Sequence, residues 1–158
     1  MRKLLLILPI AVFAACDKSD KDTTYPEIST QGIDACPLGC EEYHRGDVIP
    51  FNYLFTDDTE LGSYNIEIHN NFDHHTHSTS SIDCDEHEDH DDDEVHDVAN
   101  AWVYNQDFAI PNDTRSYCAR HDIEVPANAA FGAYHFMIRV TDAAGWQQLH
   151  SVEIHVVE

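Results

Sequence analysis

Residues 132–158 read GAYHFMIRVTDAAGWQQLHSVEIHVVE, and two apolar alternations within this stretch decide the fold of the chain. Every second position is apolar in both halves: Tyr134, Phe136, Ile138 and Val140 in the first, and Val152, Ile154 and Val156 in the second. A period of two predicts β-strands that bury one face. Because residues 142–145 (DAAG) have turn chemistry, we expect the two strands to form an antiparallel hairpin.

The same period extends through the rest of the chain. Strands are predicted at residues 49–55 and 64–69, and weaker ones at residues 26–30, 99–104 and 120–125. Beyond the N-terminal apolar run, no stretch has the spacing of an amphipathic helix. About seven short strands separated by turns indicate an all-β protein with a single antiparallel β-sandwich over residues 25–158.

The N-terminus has the pattern of an export signal. Residues 1–3 (MRK) are cationic, and residues 4–14 form an apolar run of signal-peptide length. The run ends in Phe13-Ala14-Ala15-Cys16, which resembles the lipobox of bacterial lipoproteins. We therefore predict a signal peptide at residues 1–15, lipidation of Cys16, and a polar tether over residues 16–24. This predicts an outer-membrane lipoprotein, periplasmic or surface-exposed, that contacts the membrane through its lipid anchor.

The net charge limits the possible partners. The formal charge of the 158-residue chain is −22 at pH 7. A surface this acidic repels nucleic acid and attracts cations. We therefore expect no nucleic-acid partner, and the partners that this charge favours are a metal ion or a protein of the envelope.

Four cysteines remain after Cys16. An even number in an oxidising compartment favours two disulfides, and three pairings of Cys36, Cys40, Cys84 and Cys118 are possible. We favour Cys36–Cys40, because the intervening Pro-Leu-Gly could turn the chain back on itself, together with Cys84–Cys118. Thiolate ligation of a metal is the alternative, although the spacing CPLGC does not match a zinc knuckle.

Residues 70–97 form a His/acid-rich insertion between predicted strands. The segment His69–Asp97 contains seven of the chain's twelve histidines. Imidazole nitrogens and carboxylate oxygens are ligands that zinc accepts. The sharpest pattern is His75-Thr76-His77, since i and i+2 side chains project to the same side of an extended backbone. A tetrahedral shell around one ion needs two further ligands, and the candidates for these are Asp73 together with either His69 or His74.

The later part of the insertion is a weaker signal. Residues 83–97 contain ten acids and three histidines, so the secondary ligands His87, His90 and His96 have no fixed geometry. Acidic runs are usually solvated. We predict a divalent transition metal for the insertion as a whole, zinc before copper or nickel, with calcium less favoured. The alternative is that Asn70, Asn71, Asp73 and Ser78 are turn formers and the histidines are solvated.

Histidines on the predicted strands provide another possible site. If Phe136 pairs with Val152, then His135 faces Glu153 on the outer surface, and His155 lies diagonal to it. His69 reaches the same face if its strand lies beside that of His135. The alternative is a solvated sheet face without a site. His44 and His121 have polar neighbours and are predicted to lie at the surface.

Several segments together resemble a family of bacterial lipoproteins, the domain of unknown function 4625. The resemblance rests on the lipobox, the closing hairpin, and residues 55–58 (FTDD), 60–61 (EL) and 66–78 (IEIHNNFDHHTHS). It implies an immunoglobulin-like or cadherin-like sandwich in the cell envelope and does not imply an activity.

Three functional hypotheses follow. The first is a lipoprotein that captures or buffers a transition metal. The second is an adhesin-like or assembly module that binds a protein or glycan, with the acidic loop only a solvated insertion. The third is a metal-dependent hydrolase, which we do not favour because His75-Thr76-His77 lacks the downstream ligands of known metallohydrolases. The sequence therefore predicts a binding protein and no catalytic residues.

Overall fold

A computed structural model of the chain describes residues 21–71, Cys84 and residues 100–158. This part of the chain contains eight β-strands and no α-helix. The strands are β1 (Glu27–Ser29), β2 (Glu41–His44), β3 (Val48–Thr56), β4 (Leu61–Asn70), β5 (Tyr104–Ala109), β6 (Ser116–Glu124), β7 (Gly132–Asp142) and β8 (Gln147–Val157). Within the described ranges, no helix is long and apolar enough to cross a membrane. The predicted all-β fold is confirmed.

The strands form two sheets. One has the order β1-β3-β6, and the other has the order β2-β8-β7-β4-β5. All neighbours pair antiparallel except β2 and β8, which are parallel. The strand β2 was not among the predicted strands, so its parallel pairing with β8 is an addition to the predicted antiparallel β-sandwich. The reason is that β2 is a short edge strand whose sequence, Glu-Glu-Tyr-His, carries no apolar alternation.

The closing hairpin has the predicted register. Phe136 lies opposite Val152, and Tyr134 lies opposite Ile154. The strand predicted over residues 99–104 is wrong in position, because β5 begins only at Tyr104. The strand β5 is an edge strand with mostly exposed side chains, so its sequence lacks the apolar period that locates the central strands.

Aromatic side chains join the two sheets into a sandwich. Phe51 of β3 stacks on Phe136 of β7 with ring centroids 5.9 Å apart. Phe55 of β3 lies 5.1 Å from Tyr64 of β4, measured between ring centroids. These contacts cross from one sheet to the other, and both members of each pair are buried. The predicted β-sandwich therefore has a single apolar core between its layers.

Two histidines border this core. The ring of His121 stacks on Phe108 at 4.1 Å between centroids, and its Nε2 hydrogen-bonds the Tyr64 hydroxyl. The ring of His150 lies 5.7 Å from that of Tyr53. Burial lowers the pKa of both histidines because it disfavours the charged imidazolium. The prediction that His121 is a surface residue is wrong, since its β6 position shares the inward phase of Ala119 and Ile123.

Acidification is expected to destabilise the fold through these histidines. Because their folded-state pKa values lie below the unfolded value of 6.5, the unfolded chain binds more protons as the pH falls. Stability is therefore retained above about pH 7 and falls as the pH drops through about 6.5. The substitution His150→Gln should reduce the difference in melting temperature between pH 7.5 and pH 5.5. The exposed control His44→Gln should leave that difference unchanged, and an equal change in both variants would contradict the assignment.

Candidate metal centre

Polar side chains form a row across the outer face of the five-stranded sheet. His69 of β4 lies opposite His135 of β7, and His135 lies opposite Glu153 of β8. The two histidine rings are 5.5 Å apart between centroids. Because outward positions on a strand recur at every second residue, His155 follows Glu153 on the same face. The predicted register of these strands is confirmed.

This row is buried. His135 is 2% exposed, Glu153 is 6% exposed and His155 is 9% exposed. The burial pattern of β7 is unbroken from Ala133 to Ile138, so both faces of the strand are covered there. The alternative of a solvated face is therefore wrong. Buried ionisable groups are costly unless they are paired or bind an ion, so this cluster is a candidate site.

Two of the described side chains form hydrogen bonds with the Glu153 carboxylate. His155 Nε2 lies 3.1 Å from its Oε1, and Asn71 Nδ2 donates to its Oε2 at 2.8 Å. The hydrogen bond from His155 is the main reason that the pKa of Glu153 is lowered, and the bond from Asn71 acts in the same direction against burial. Glu153 is thus a buried carboxylate held in its ionised form. An ionised carboxylate beside an imidazole nitrogen is a pair of ligands suited to zinc.

Asn71 adds an acceptor to this cluster. It follows the end of β4, and its backbone N–H donates to the carbonyl oxygen of Ala133 at 2.8 Å. The side-chain amide is oriented by Glu153, because only its NH₂ group can donate to a carboxylate. Its Oδ1 is buried and accepts no hydrogen bond from the residues that the structure describes. A cation or its bound water could satisfy this oxygen, so the residues present are compatible with a metal ion.

A disulfide lies at the edge of the same cluster. Cys40 is bonded to Cys84, and the backbone N–H of Cys40 donates to the carbonyl oxygen of Glu153 at 2.7 Å. One potential metal-ligand atom from each of three residues lies within 4.8 Å of the other two, and these residues are Cys84, Glu153 and His155. The thiolate is the form of cysteine that binds metals, so the disulfide sulfur is not a ligand. The cluster therefore offers nitrogen and oxygen donors beside a covalent crosslink.

The favoured cysteine pairing is wrong. Cys36 and Cys118 are free thiols, while Cys40 pairs with Cys84. Cys36 forms a β-bridge with Asn52 in the three-stranded sheet, whereas the Cys40 backbone is hydrogen-bonded to the five-stranded sheet. The residues between them therefore cross from one sheet to the other and do not close the predicted small ring. Burial raises the pKa of the Cys36 thiol, which keeps it protonated.

The remaining predicted residues lie outside the part of the chain that the structure describes. These are Asp73, His74, His75, His77, His87, His90 and His96 among the metal ligands, and Cys16 as the lipidation site. Of the predicted ligands, the structure brings together His69, His135 and His155. Glu67 Oε1 lies 3.2 Å from His69 Nδ1, which places a carboxylate beside this ring as well.

Asn71 is the site residue that sequence analysis missed. Its residue type and position favour a turn former, and that interpretation hides its contact with Glu153. The available signal is its phase, because Glu67, His69 and residue 71 share one side of an extended chain. For Glu153, the sequence predicts a position opposite His135 and does not identify a ligand.

The comparison with known families agrees with this architecture. The family described as Domain of unknown function (DUF4625) matches residues 14–157, and the chain belongs to this family. The match includes both the closing hairpin and the strand that carries His69. No curated protein matches the chain.

Proposed function

We propose that the chain is a cell-envelope lipoprotein, anchored through Cys16, that captures or buffers a divalent transition metal at the outer face of its five-stranded sheet. The observation that carries this proposal is the buried pair of Glu153 and His155, with the His135 position directly across the strand pair. Zinc fits this set best, because imidazole and carboxylate are among its common ligands.

The path of the chain supports the proposal that the His-rich insertion contributes ligands to the site at Glu153 and His155. Residues 72–83, which include His74, His75 and His77, are flanked by Asn71 and Cys84. Asn71 donates to Glu153, and Cys84 lies within 4.8 Å of both Glu153 and His155. Both ends of this histidine-containing segment are therefore fixed at the same cluster. Ligands from the segment would complete a shell that Glu153 and His155 begin.

Binding would replace a proton by the metal. In the metal-free state, the imidazole and the carboxylate share a hydrogen bond of 3.1 Å. A ring nitrogen binds a metal only through its lone pair, so the ion would take the place of the proton between His155 Nε2 and Glu153 Oε1. Asn71 would retain its hydrogen bond to the second carboxylate oxygen and orient the ligand. Such outer partners typically raise metal affinity.

The test is calorimetric titration of the chelator-washed full chain, in detergent, with zinc chloride. The substitution His155→Ala should weaken zinc binding by about tenfold or more, which corresponds to about 1.4 kcal/mol or more. The exposed His44→Ala is the matched control and should bind zinc as the parent does. A second substitution, Glu153→Gln, keeps the size of the side chain and should also weaken binding. Parental affinity in both His155→Ala and Glu153→Gln would contradict the proposed site.

The insertion is tested separately by the double substitution of His75 and His77 with alanine. Loss of tight binding in this variant, together with loss in His155→Ala, would place both segments at one ion. Parental binding by the double variant would restrict the site to the sheet. A chain that takes up no zinc or copper would favour the adhesin-like or assembly module as the function.

A further inference from the structure

A group of three carboxylates lies near the turn between β3 and β4, at the opposite end of the sandwich from the candidate metal centre. We name Asp22, Asp57 and Asp58 the acidic turn cluster. One oxygen from each residue lies within 4.8 Å of the others. The ten-residue strand β4 separates this end from Asn70 beside the candidate metal centre. Since each strand residue rises about 3.3 Å, the two places are roughly 30 Å apart.

The two carboxylate oxygens of Asp57 differ in their hydrogen bonding. Its Oδ1 accepts the backbone N–H groups of Thr59 at 2.8 Å and Glu60 at 2.7 Å. Its Oδ2 is buried and has no hydrogen-bond partner within the described ranges of the chain. Within the cluster, the Asp57 carboxylate is the buried member, between the partly exposed Asp22 and the exposed Asp58. A buried carboxylate oxygen without a donor is unfavourable unless a ligand satisfies it.

The N-terminal segment is held against this turn. Trp146 Nε1 donates to the carbonyl oxygen of Asp22 at 3.1 Å, and Thr24 Oγ1 donates to Asp58 Oδ2 at 3.0 Å. The Trp146 ring also packs on Tyr25, with centroids 4.8 Å apart. The prediction of a tether is therefore wrong for residues 22–24, which are bound to the domain. The indole brings a third carboxylate, from a distant part of the chain, to the two at the turn.

Within the described part of the chain, no ion pair joins a basic side chain to the acidic turn cluster. The ion pairs there join histidines to glutamates at the other end of the sandwich. Arg115, which lies at this turn, donates its Nε to the carbonyl oxygen of Thr59 at 3.0 Å. Asp142 at the neighbouring hairpin turn is also buried, and its Oδ2 has no hydrogen-bond partner among the described residues. No ion pair among the described residues offsets the charge of the cluster, so a cation is the ligand that its chemistry favours.

We propose that Asp22, Asp57 and Asp58 bind a calcium ion that fastens the N-terminal segment to the β-sandwich. Calcium prefers carboxylate and carbonyl oxygens in flexible arrangements completed by water. The cluster contains oxygen donors only, which distinguishes it from the histidine-containing centre. An ion at this position would bridge residue 22 and the turn at residues 57–58. It would thus fix the point where the chain leaves the folded domain.

The test uses the fluorescence of Trp146, one of two tryptophans in the chain. The substitution Trp102→Phe leaves Trp146 as the only reporter, and its indole is hydrogen-bonded to Asp22. Calcium chloride titrated into this variant of the full chain should change the fluorescence with half-saturation at about 0.1–1 mM, the range of extracellular calcium modules. Magnesium at the same concentrations should have a weaker effect, because it loses its water reluctantly.

Three further substitutions in this background decide the assignment. Asp57→Asn retains an oxygen that accepts the Thr59 and Glu60 N–H groups, and it should raise the half-saturating calcium concentration by about tenfold or more. Asp22→Asn lies outside the turn and should have a similar effect, whereas the exposed control Asp122→Asn should have none. No change up to about 10 mM calcium, which exceeds the expected range, would overturn the proposal. Equal calcium binding by Asp57→Asn and Asp122→Asn would also overturn the proposal, because it would indicate only a loosely held counterion. Zinc binding at His155 is a separate measurement, so either site can fail alone.

Discussion

Replacing Cys40 by serine is expected to lower the free energy of unfolding by about 4 kcal/mol under oxidising conditions. The Cys40–Cys84 disulfide joins residues 44 positions apart in the sequence. Closing a loop of that length removes many conformations from the unfolded chain and so raises its free energy. Urea denaturation of the parent and of the variant measures the difference. Reduction of the parent should produce a loss of the same size.

The other two cysteines are the controls for this experiment. Cys118 is an exposed thiol, and Cys36 is a partly buried thiol whose Sγ lies 3.5 Å from the Tyr43 hydroxyl. Serine at position 118 should change stability by less than about 0.5 kcal/mol, as surface substitutions usually do. Serine at position 36 should cost about 1 kcal/mol. A loss near 4 kcal/mol for Cys36→Ser or Cys118→Ser would contradict the observed pairing.

The disulfide also links folding to the candidate site. The Cys40 N–H is bonded to the carbonyl oxygen of Glu153, so the crosslink is attached to the strand that supplies the carboxylate ligand. Without it, residue 84 would no longer be held beside Glu153 and His155. Cys40→Ser should therefore weaken zinc binding as well as stability if the insertion contributes ligands. A destabilised variant with unchanged zinc affinity would confine the ligands to the sheet.

The outer-face row was predictable because register follows from two local signals. An apolar period of two fixes which side chains point inward, and a tight turn fixes which residues face each other. Together these two signals are sufficient to place His135 opposite Glu153. The position of His69 required one further assumption, the adjacency of β4 and β7, and the structure confirms it.

The disulfide and the burial of the row were not predictable in the same way. Both depend on contacts between segments far apart in the sequence, and local periodicity carries no information on such contacts. The crossing from Cys36 in one sheet to Cys40 at the other is an example, because it depends on the parallel edge strand β2. A solvated face was the alternative for the strand-borne histidines for the same reason. Alternation shows which face is outward and does not show what covers it.

Phe136→Ala is expected to lower the free energy of unfolding by about 3–5 kcal/mol, the usual range for a buried phenylalanine. The Phe136 side chain is fully buried and stacks on Phe51 of the opposite sheet at 5.9 Å between centroids. Its removal leaves a cavity between the layers that the rigid strands can fill only in part. Urea denaturation again provides the measurement, with a transition midpoint well below that of the parent.

The matched control is Phe131→Ala, one residue before β7. The Phe131 side chain is 38% exposed, and its ring is covered on one side by the Arg45 guanidinium, 3.8 Å from the centroid. The loss there should be only about 1 kcal/mol, because less apolar area and one cation–π contact are removed. A loss of unfolding free energy in Phe136→Ala no larger than that in Phe131→Ala would show that the contact between Phe51 and Phe136 does not hold the two sheets together. His135 and Glu153 occupy the reverse side of the same strand pair, so a rigid inner face is what holds these side chains in place.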